Sequence, residues 1–360
     1  MRGTEVTIFG AHSGRNKGDL AILHSMMANL KRAIGDVQFN IPTKNPSYLR
    51  QFEKGEHINY IKSPTNYLNF ESSKSIKDSD IVLIGGGGLF FDRRIYNPFY
   101  NHVINIDPIA RYSNQVGTPT ALFCVGAHRM NRVATWLTKN ILQRSDYISV
   151  RDHLSEQVFG SIADEQIHFR PDPALLLEEK YSGAVSQVLS AVSSKQQQAE
   201  RLVFFVNSVV ERSSVRSQVI ESIRDLTEQY DVFIGETVTE QDHAREIASE
   251  INGCHLLFAE NNLRGEEHIA LISEFDIAVC IPMHSAIFAY KSKTPFVSIE
   301  YEPKVSEFNN LISNRSRTLL SDIDSVPRIV KSIDGRNHKE KEELETLSKV
   351  AFQDIAEILI

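Results

Sequence analysis

Cysteine is scarce in this chain. There are three in 360 residues, Cys124, Cys254 and Cys280, each in or beside an apolar run, and no two form a CxxC pair. That excludes a disulfide framework and a cysteine-rich zinc site, and fits buried free thiols in a reducing compartment. No apolar run reaches the roughly 18 residues a membrane-spanning helix needs. The nearest approach, Ile277–Tyr290, is shorter and is interrupted by Pro282 and His284. Positive charge is in deficit: 39 Lys and Arg stand against 46 Asp and Glu, a net charge of −7. With no basic block or arm, nucleic acid is not expected as the main partner. An acidic protein still holds an anionic substrate when a few cations are focused in one place. HExxH, GxSxG and Cys/His clusters are all absent from the sequence, so neither a metal nor a cofactor is expected. The stretch MRGTEVTIFGA runs almost directly into a strand pattern, and no signal peptide is expected from it.

At 41% hydrophobic and 24% charged residues, the composition is that of a globular protein. The length suits two cores of ordinary size. Short apolar runs alternate with longer amphipathic stretches. The runs Val6–Phe9, Val37–Ile41, Ile81–Ile84, Thr120–Val125 and Tyr147–Val150 read as strands. Helical patterns lie between them at Asp19–Ala33, Asn131–Ser145 and His153–Phe159. Such alternation predicts βαβ units on a mainly parallel sheet. After PDPALLL (Pro171–Leu177) the texture changes, and the Ser, Gln and Ala of Ser182–Glu200 read as a surface connection with a helix in it. Strands resume at Leu202–Val206, Val232–Ile234, His255–Phe258, Ile277–Cys280 and Phe296–Ile299. The helices among them are Val215–Gln229, Glu240–Ile251, Glu266–Glu274 and Ser285–Lys291. The expected fold is α/β: two Rossmann-like domains facing a cleft, at 1–180 and 201–337, joined by a linker at 181–200. An amphipathic helix at 338–360 either packs back on the first domain or finishes the second.

In open α/β sheets ligands bind beyond the carboxyl ends of the strands, so the loops there carry the search. In GAHSGRNKGDLAI (Gly10–Ile22), free amides at a helix start with Arg15 and Lys17 beside them suit an anion. A tight turn with an Asp cap is the alternative from the same residues, and the cleft loop is favoured because loops at this topological position usually line sites. In IVLIGGGGLFFDRR (Ile81–Arg94), Gly86, Gly87 and Gly88 suit either an anion nest or a close strand–helix crossing. His128, Arg129 and Arg132 follow the next strand. Arg151 ends another, placed to clamp a carboxylate or phosphate, or to pair with Asp152 or Asp172. CIPMHSAIFA (Cys280–Ala289) puts His284 at a strand-to-helix corner, and Glu300-Tyr301-Glu302-Pro303-Lys304 ends the next strand. Parallel neighbours would bring His284 and Lys304 to one rim.

In order along the chain, six segments resemble those of the polysaccharide pyruvyl transferase family. They are a G-x-x-N-x-G-D type loop (Gly14–Asp19, slightly shifted), GGGG-x-x-x-D (Gly85–Asp92), V-R-D-x-x-S (Val150–Ser155), P-D-P/D-x-A, standing here as PDPA (Pro171–Ala174), M-H-S/A-x-I-F-A (Met283–Ala289) and Y-x-P-K (Tyr301–Lys304). The resemblance implies a GT-B-like fold and transfer of the pyruvyl group of phosphoenolpyruvate onto two sugar hydroxyls as a ketal. The first domain would take the acceptor and the second the donor. It implies catalytic roles for His284 as acid/base and for Arg151 and Lys304 on the anionic groups. Asn16, Gly18, Asp19, Gly86, Gly87, Gly88, Asp92, His128, Arg129, Ser285, Glu300 and Tyr301 are the expected substrate-binding residues. The partners would be phosphoenolpyruvate and a sugar of an exopolysaccharide or surface polysaccharide or of its lipid-linked precursor, with the protein in the cytoplasm or at the inner face of the membrane. One departure stands out: where the family has an arginine two residues before the histidine, this chain has Pro282. Proline brings neither a charge nor a backbone N–H. Arg129, Lys291 and Lys293 are the candidate replacements. A glycosyltransferase using a nucleotide sugar and a non-catalytic homologue in polysaccharide assembly are the competing readings.

Overall fold

The structure, a computed structural model, describes residues 3–53, 55–92, 95–97, 99, 101–193, 199–238, 242–257, 263–333 and 342–359. Of the expected features, Arg93, Arg94, residues 194–198 of the connection, Glu240, Phe258 and residues 338–341 lie outside the described residues. In chain order the first half contains β1 (Thr4–Phe9), α1 (Lys17–Ile34), β2 (Val37–Thr43), α2 (Pro46–Phe52), β3 (Ile58–Lys62), α3 (Phe70–Asp78) and β4 (Ile81–Phe90). It continues with α4 (Val103–Val116), β5 (Thr120–Ala127), α5 (Arg132–Leu142), β6 (Tyr147–Val150), α6 (His153–Gly160) and β7 (His168–Phe169). The second half contains α7 (Gly183–Ser193), β8 (Arg201–Val206), α8 (Ser213–Thr227), β9 (Asp231–Glu236), α9 (His243–Ser249), β10 (Cys254–Leu256) and α10 (Gly265–Ile272). It closes with β11 (Ile277–Cys280), α11 (Met283–Ser292), β12 (Phe296–Glu300), α12 (Pro303–Leu311), β13 (Arg317–Leu319), α13 (Val326–Lys331) and α14 (Glu342–Ile358).

The chain divides into two compact units. Unit 1 is Met1–Gly14, Ile22–Leu176 and Glu342–Ile360, and unit 2 is Arg15–Ala21 and Leu177–Lys341. The first turn of α1 therefore belongs to unit 2. Its backbone explains why: Lys17 N–H donates to the Thr237 carbonyl at 2.8 Å, and Asn16 bridges to Val238. Composition carries no trace of that tie. The stretch 183–193 inside the expected linker is the helix α7, and α14 belongs to unit 1, where the Phe352 ring lies 4.9 Å from Phe123. The carboxylate of Asp354 accepts from Arg170 Nε at 2.9 Å and from the Tyr147 hydroxyl.

Unit 1 holds a seven-stranded parallel sheet in the order β3-β2-β1-β4-β5-β6-β7. Its middle strands are buried on both faces, which is why they read as continuous apolar runs instead of alternating ones. Under α3, α4 and α5 lies one core, with Ile76, Ile106, Ile109, Ala134 and Ile141 packed on Ile84, Leu122 and Ile148. Unit 2 holds a six-stranded parallel sheet in the order β10-β9-β8-β11-β12-β13. Its core joins Phe204, Ile234, Val279 and Val297 to Val219, Ile223 and Ile247 from the helices.

Both sheets wind outward from a first strand and then return to its other side. The strand order therefore reverses between β1 and β4 in unit 1 and between β8 and β11 in unit 2. Beyond the carboxyl ends of such strand pairs lie the clefts where doubly wound folds bind ligands.

Candidate active site

In unit 2 the switch point is occupied by His284. Strand β11 ends at Cys280, and α11 starts two residues later with Pro282 as its N-cap, at φ −67° and ψ 138°. Proline is tolerated there because a helix start needs no N–H from it. The Pro282 carbonyl accepts the Ser285 hydroxyl at 2.7 Å, so Ser285, fully buried, is spent on shaping the corner. Throughout Ile281–Tyr290 every residue is buried except His284. A helix apolar all round sits inside its domain, and this one leaves a single imidazole at the rim.

The ring of His284 is held from two sides. The Phe288 ring lies 6.4 Å away, and His268 stacks on the same Phe288 at 5.5 Å. From the other side comes the start of α1. A Cβ added at Gly18 would fall 2.6 Å from His284 Cε1, and closer still to Nδ1 and Cγ. Only glycine lets the backbone approach an imidazole this closely. Asn16 shapes the approach, its side-chain oxygen accepting from Gly18 N–H at 2.9 Å. The turn reading of this loop is met, with Asn16 and not Asp19 making the turn bond, and the turn seats the backbone on His284. Asp19 follows in the first turn of α1.

Lys17 lies beside Gly18 and is 2% exposed. Burial pulls its pKa down to about 8, partly offset by Glu267. The His268 ring Nδ1 pairs with the Arg264 carbonyl at 2.8 Å and must donate, because a carbonyl only accepts; Nε2 is then the acceptor of a neutral ring. Burial, with the charge of Lys17 adding to it, lowers that ring's pKa to about 4.

Strands β11 and β12 are parallel neighbours in the register Cys280↔Ser298, so His284 and Lys304 do share the carboxyl edge. Lys304 Nζ is 2.6 Å from Glu302 and 5.7 Å from the Tyr301 ring centre. Burial raises the pKa of Tyr301, against the pull of Lys304, and its hydroxyl bonds both Lys304 and Asn207 at the end of β8. Glu300 is committed elsewhere. Its carboxylate accepts from Ser306 at 2.8 Å, Asn309 at 2.9 Å and Arg317 at 3.2 Å, which ties α12 and β13 together. Lys291 and Lys293 sit at the far end of α11, seven and nine residues on, or about 10 Å and more along the axis from His284. Glu236 ends β9 and is 4% exposed; its Oε2 accepts from Ala244 N–H at 3.1 Å while Oε1 has no partner among the described residues. Burial raises this carboxyl to about 7.

In unit 1 the organising group is Arg151, 4% exposed at the end of β6. Its Nε and Nη1 each lie 3.3 Å from a carboxylate, of Asp152 and Asp172 respectively. Asp152 also caps α6 through Ser155 N–H at 2.8 Å. Nη2 is buried and has no partner among the described residues. That nitrogen would be 2.9 Å from a Cβ at Gly126 and 3.5 Å from one at Gly88, so the guanidinium lies over the ends of β4 and β5. Gly86 and Gly87 have φ of 71° and 89° within β4, a left-handed backbone. The ion-pair reading of Arg151 is met by two of its nitrogens, and the third is an orphan donor of the kind an anion fills. Asp92 accepts from Asn131 N–H at 2.9 Å, His128 N–H donates to the Phe90 carbonyl, and Arg129 is exposed.

At the switch point of unit 1 stands His12. It is 1% exposed, and neither ring nitrogen has a partner among the described residues. Burial drives its pKa to about 3 and that of His102, bonded to the Tyr67 hydroxyl, to about 4. His12, His268 and Glu236 were not among the expected site residues. Their common signal is position just past a strand end, or on a helix facing one, without a motif around them.

Residues 16–303 match the model of a family described as polysaccharide pyruvyl transferase. No curated protein matches the chain. Among solved structures, the UDP-GlcNAc 2-epimerase of Methanocaldococcus jannaschii superposes with a TM-score of 0.63 at 12% identity, covering 99% of each chain. An Arabidopsis thaliana protein complexed with UDP-L-rhamnose gives 0.61 at 11%, covering 100% of each. The UDP-GlcNAc 2-epimerase of Neisseria meningitidis bound to UDP-GlcNAc gives 0.58 at 13%, covering 99% of this chain and 98% of the other. At these identities the likeness is one of fold, and the fold is GT-B-like: two parallel sheets, each flanked by helices.

Proposed function

Since this chain belongs to the polysaccharide pyruvyl transferase family, we propose that it moves the pyruvyl group of phosphoenolpyruvate onto two hydroxyls of a sugar in a surface polysaccharide or exopolysaccharide, or its precursor, on the cytoplasmic side. The observation that carries the reading is His284: the one rim-facing residue of a buried helix, at a switch point, with Lys17 next to the backbone that packs on it and Lys304 on the same sheet edge.

The chemistry needs one proton delivered and two removed. Protonating the methylene carbon of phosphoenolpyruvate makes C2 electrophilic, and a sugar hydroxyl adds to it, giving up its proton. The C2–O bond to phosphate then breaks, and the second hydroxyl closes the ketal. Its proton leaves with inorganic phosphate. His284 suits both proton transfers near neutral pH. Lys304 takes an anionic group of the donor. We assign the charge that Pro282 lacks to Lys17, which is buried next to the backbone that packs on His284 and is cationic below about pH 8. Arg151 Nη2 serves as a further anion receptor. The neutral rings of His12 and His102 suit uncharged hydroxyls better than anions.

A thermal-shift comparison tests the donor. Phosphoenolpyruvate should raise the melting temperature and a UDP-sugar should not, and Lys17→Met should remove the shift. A shift with the UDP-sugar alone would favour the glycosyltransferase reading, and no shift with either the non-catalytic one.

A further inference from the structure

One rim of unit 1 carries apolar surface that the chemistry above does not use. Helices α3, α4 and α5 are neighbours in one layer over the unit 1 core, and each follows a strand of the parallel sheet, so all three begin at its carboxyl edge. Of seven large exposed hydrophobic residues among the described ones, five stand at these three starts. Phe70 opens α3 at 88% exposure, Tyr96 and Phe99 precede α4 at 78% and 58%, and Val133 and Trp136 lie early in α5 at 39% and 58%. Single exposed apolar residues need no explanation, but a row of them on one edge does.

The charge on this edge narrows the partner. In a chain of net charge −7, residues 128–139, the loop before α5 and most of that helix, contain Arg129, Arg132 and Lys139 and no Asp or Glu. Arg132 and Lys139 are i−4 and i+3 to Trp136, so the three share one exposed stripe of α5. The opposite face, Ala134, Thr138, Ile141 and Leu142, is buried in the unit. Lys44 Nζ lies 5.8 Å from the Phe99 ring centre. Nearby carboxylates are Asp92, whose Oδ2 is engaged by Asn131 N–H, and the exposed Glu71 beside Phe70. No described helix is long and apolar enough to cross a membrane.

We propose that this edge of unit 1 docks on an anionic lipid surface, with Trp136, Tyr96, Phe99 and Phe70 at headgroup depth and the cations of α5 on lipid phosphates. Amphipathic aromatic rings interleaved with Arg and Lys are the chemistry of the bilayer interface. The docked edge is also the ligand-binding edge of the sheet, so a lipid-borne sugar would be presented at it. The proposal stands whether or not the transferred group is pyruvyl.

The chain has one tryptophan, so its own fluorescence reports the contact. The intact protein is mixed with vesicles of phosphatidylcholine alone, or with phosphatidylglycerol added. The expected result is a blue shift and co-sedimentation with the anionic vesicles only, both weakening as salt is raised. Arg132→Glu with Lys139→Glu should lower anionic-vesicle binding about tenfold or more, with melting temperature and emission in buffer unchanged. Trp136→Ser should also weaken sedimentation. Absence of the shift, equal binding to neutral vesicles, or binding indifferent to the double charge reversal would overturn the proposal; capture by a protein partner instead would point to a different occupant.

Discussion

Replacing Gly18 by alanine perturbs the candidate site by a single methyl group. The new carbon would overlap the His284 ring, 2.6 Å from Cε1 and nearer to two other ring atoms. Carbon contacts settle at about 3.5–4 Å, so the ring or the first turn of α1 must retreat by about 1 Å or more. Overpacking of this size costs about 1–3 kcal/mol. Alanine in a helix returns about 0.5–1 kcal/mol relative to glycine, leaving a net loss of roughly 0–2.5 kcal/mol. Activity should fall far more, because a catalytic group displaced by about 1 Å loses on the order of a hundredfold in rate. Phosphoenolpyruvate-dependent phosphate release, with the host polysaccharide as acceptor, measures the rate, and urea melts measure the stability. Gly183→Ala, in helix α7 where an added Cβ meets nothing within 4 Å, is the control: activity should not change and stability should not fall. In a His284→Ala background the stability cost of Gly18→Ala should vanish, since the overlapping ring is gone. Full activity in Gly18→Ala, or the same stability cost in both backgrounds, would refute the placement of His284 against α1.

Arg151→Lys keeps a cation between Asp152 and Asp172 but withdraws Nη2; calorimetry with inorganic phosphate should show about tenfold to hundredfold weaker binding, with stability lower by about 1.5–3 kcal/mol. Glu236 has its carboxyl raised from 4.5 to about 7, so protonation favours the folded state: its contribution is complete below pH 4.5 and lost as pH rises through 7. Glu236→Gln should therefore leave stability unchanged near pH 4 and raise it by on the order of 2–3 kcal/mol at pH 8; a flat difference across that range counts against the burial of this group. His12 and His268, lowered to about 3 and about 4, act in the opposite sense. Their neutral forms stabilise above pH 6.5, and that stability is lost as pH falls towards 4. His268→Gln should recover about 3 kcal/mol at pH 4 in urea melts and nothing at pH 8.

Much of this was legible in the sequence. Strands such as Thr120–Val125 and Ile277–Cys280 are apolar throughout because parallel sheets are covered on both faces. The edge strands β3, β7 and β13, with the short sequences INYIK, HF and RTL, carry too few apolar residues to stand out. The rim shared by His284 and Lys304 followed from strand adjacency alone. Lys17 appeared only as a neighbour of the glycine loop, because its burial depends on the first turn of α1 being tied to Thr237, 220 residues away along the chain. Gly126 sits within an apolar strand, and its need for glycine appears only once Arg151 lies over it. Glu300 looked like a rim group from its place at a strand end, but its hydrogen bonds run to α12 and β13.

The central claim is that this protein forms a pyruvate ketal with His284 moving the protons. The most direct measurement is mass spectrometry of the host's polysaccharide, made with the natural protein and with a folded His284→Ala variant. The account predicts repeat units heavier by pyruvic acid less one water with the natural protein, and their absence with the variant. Ketal-bearing units in both, or in neither, would contradict it.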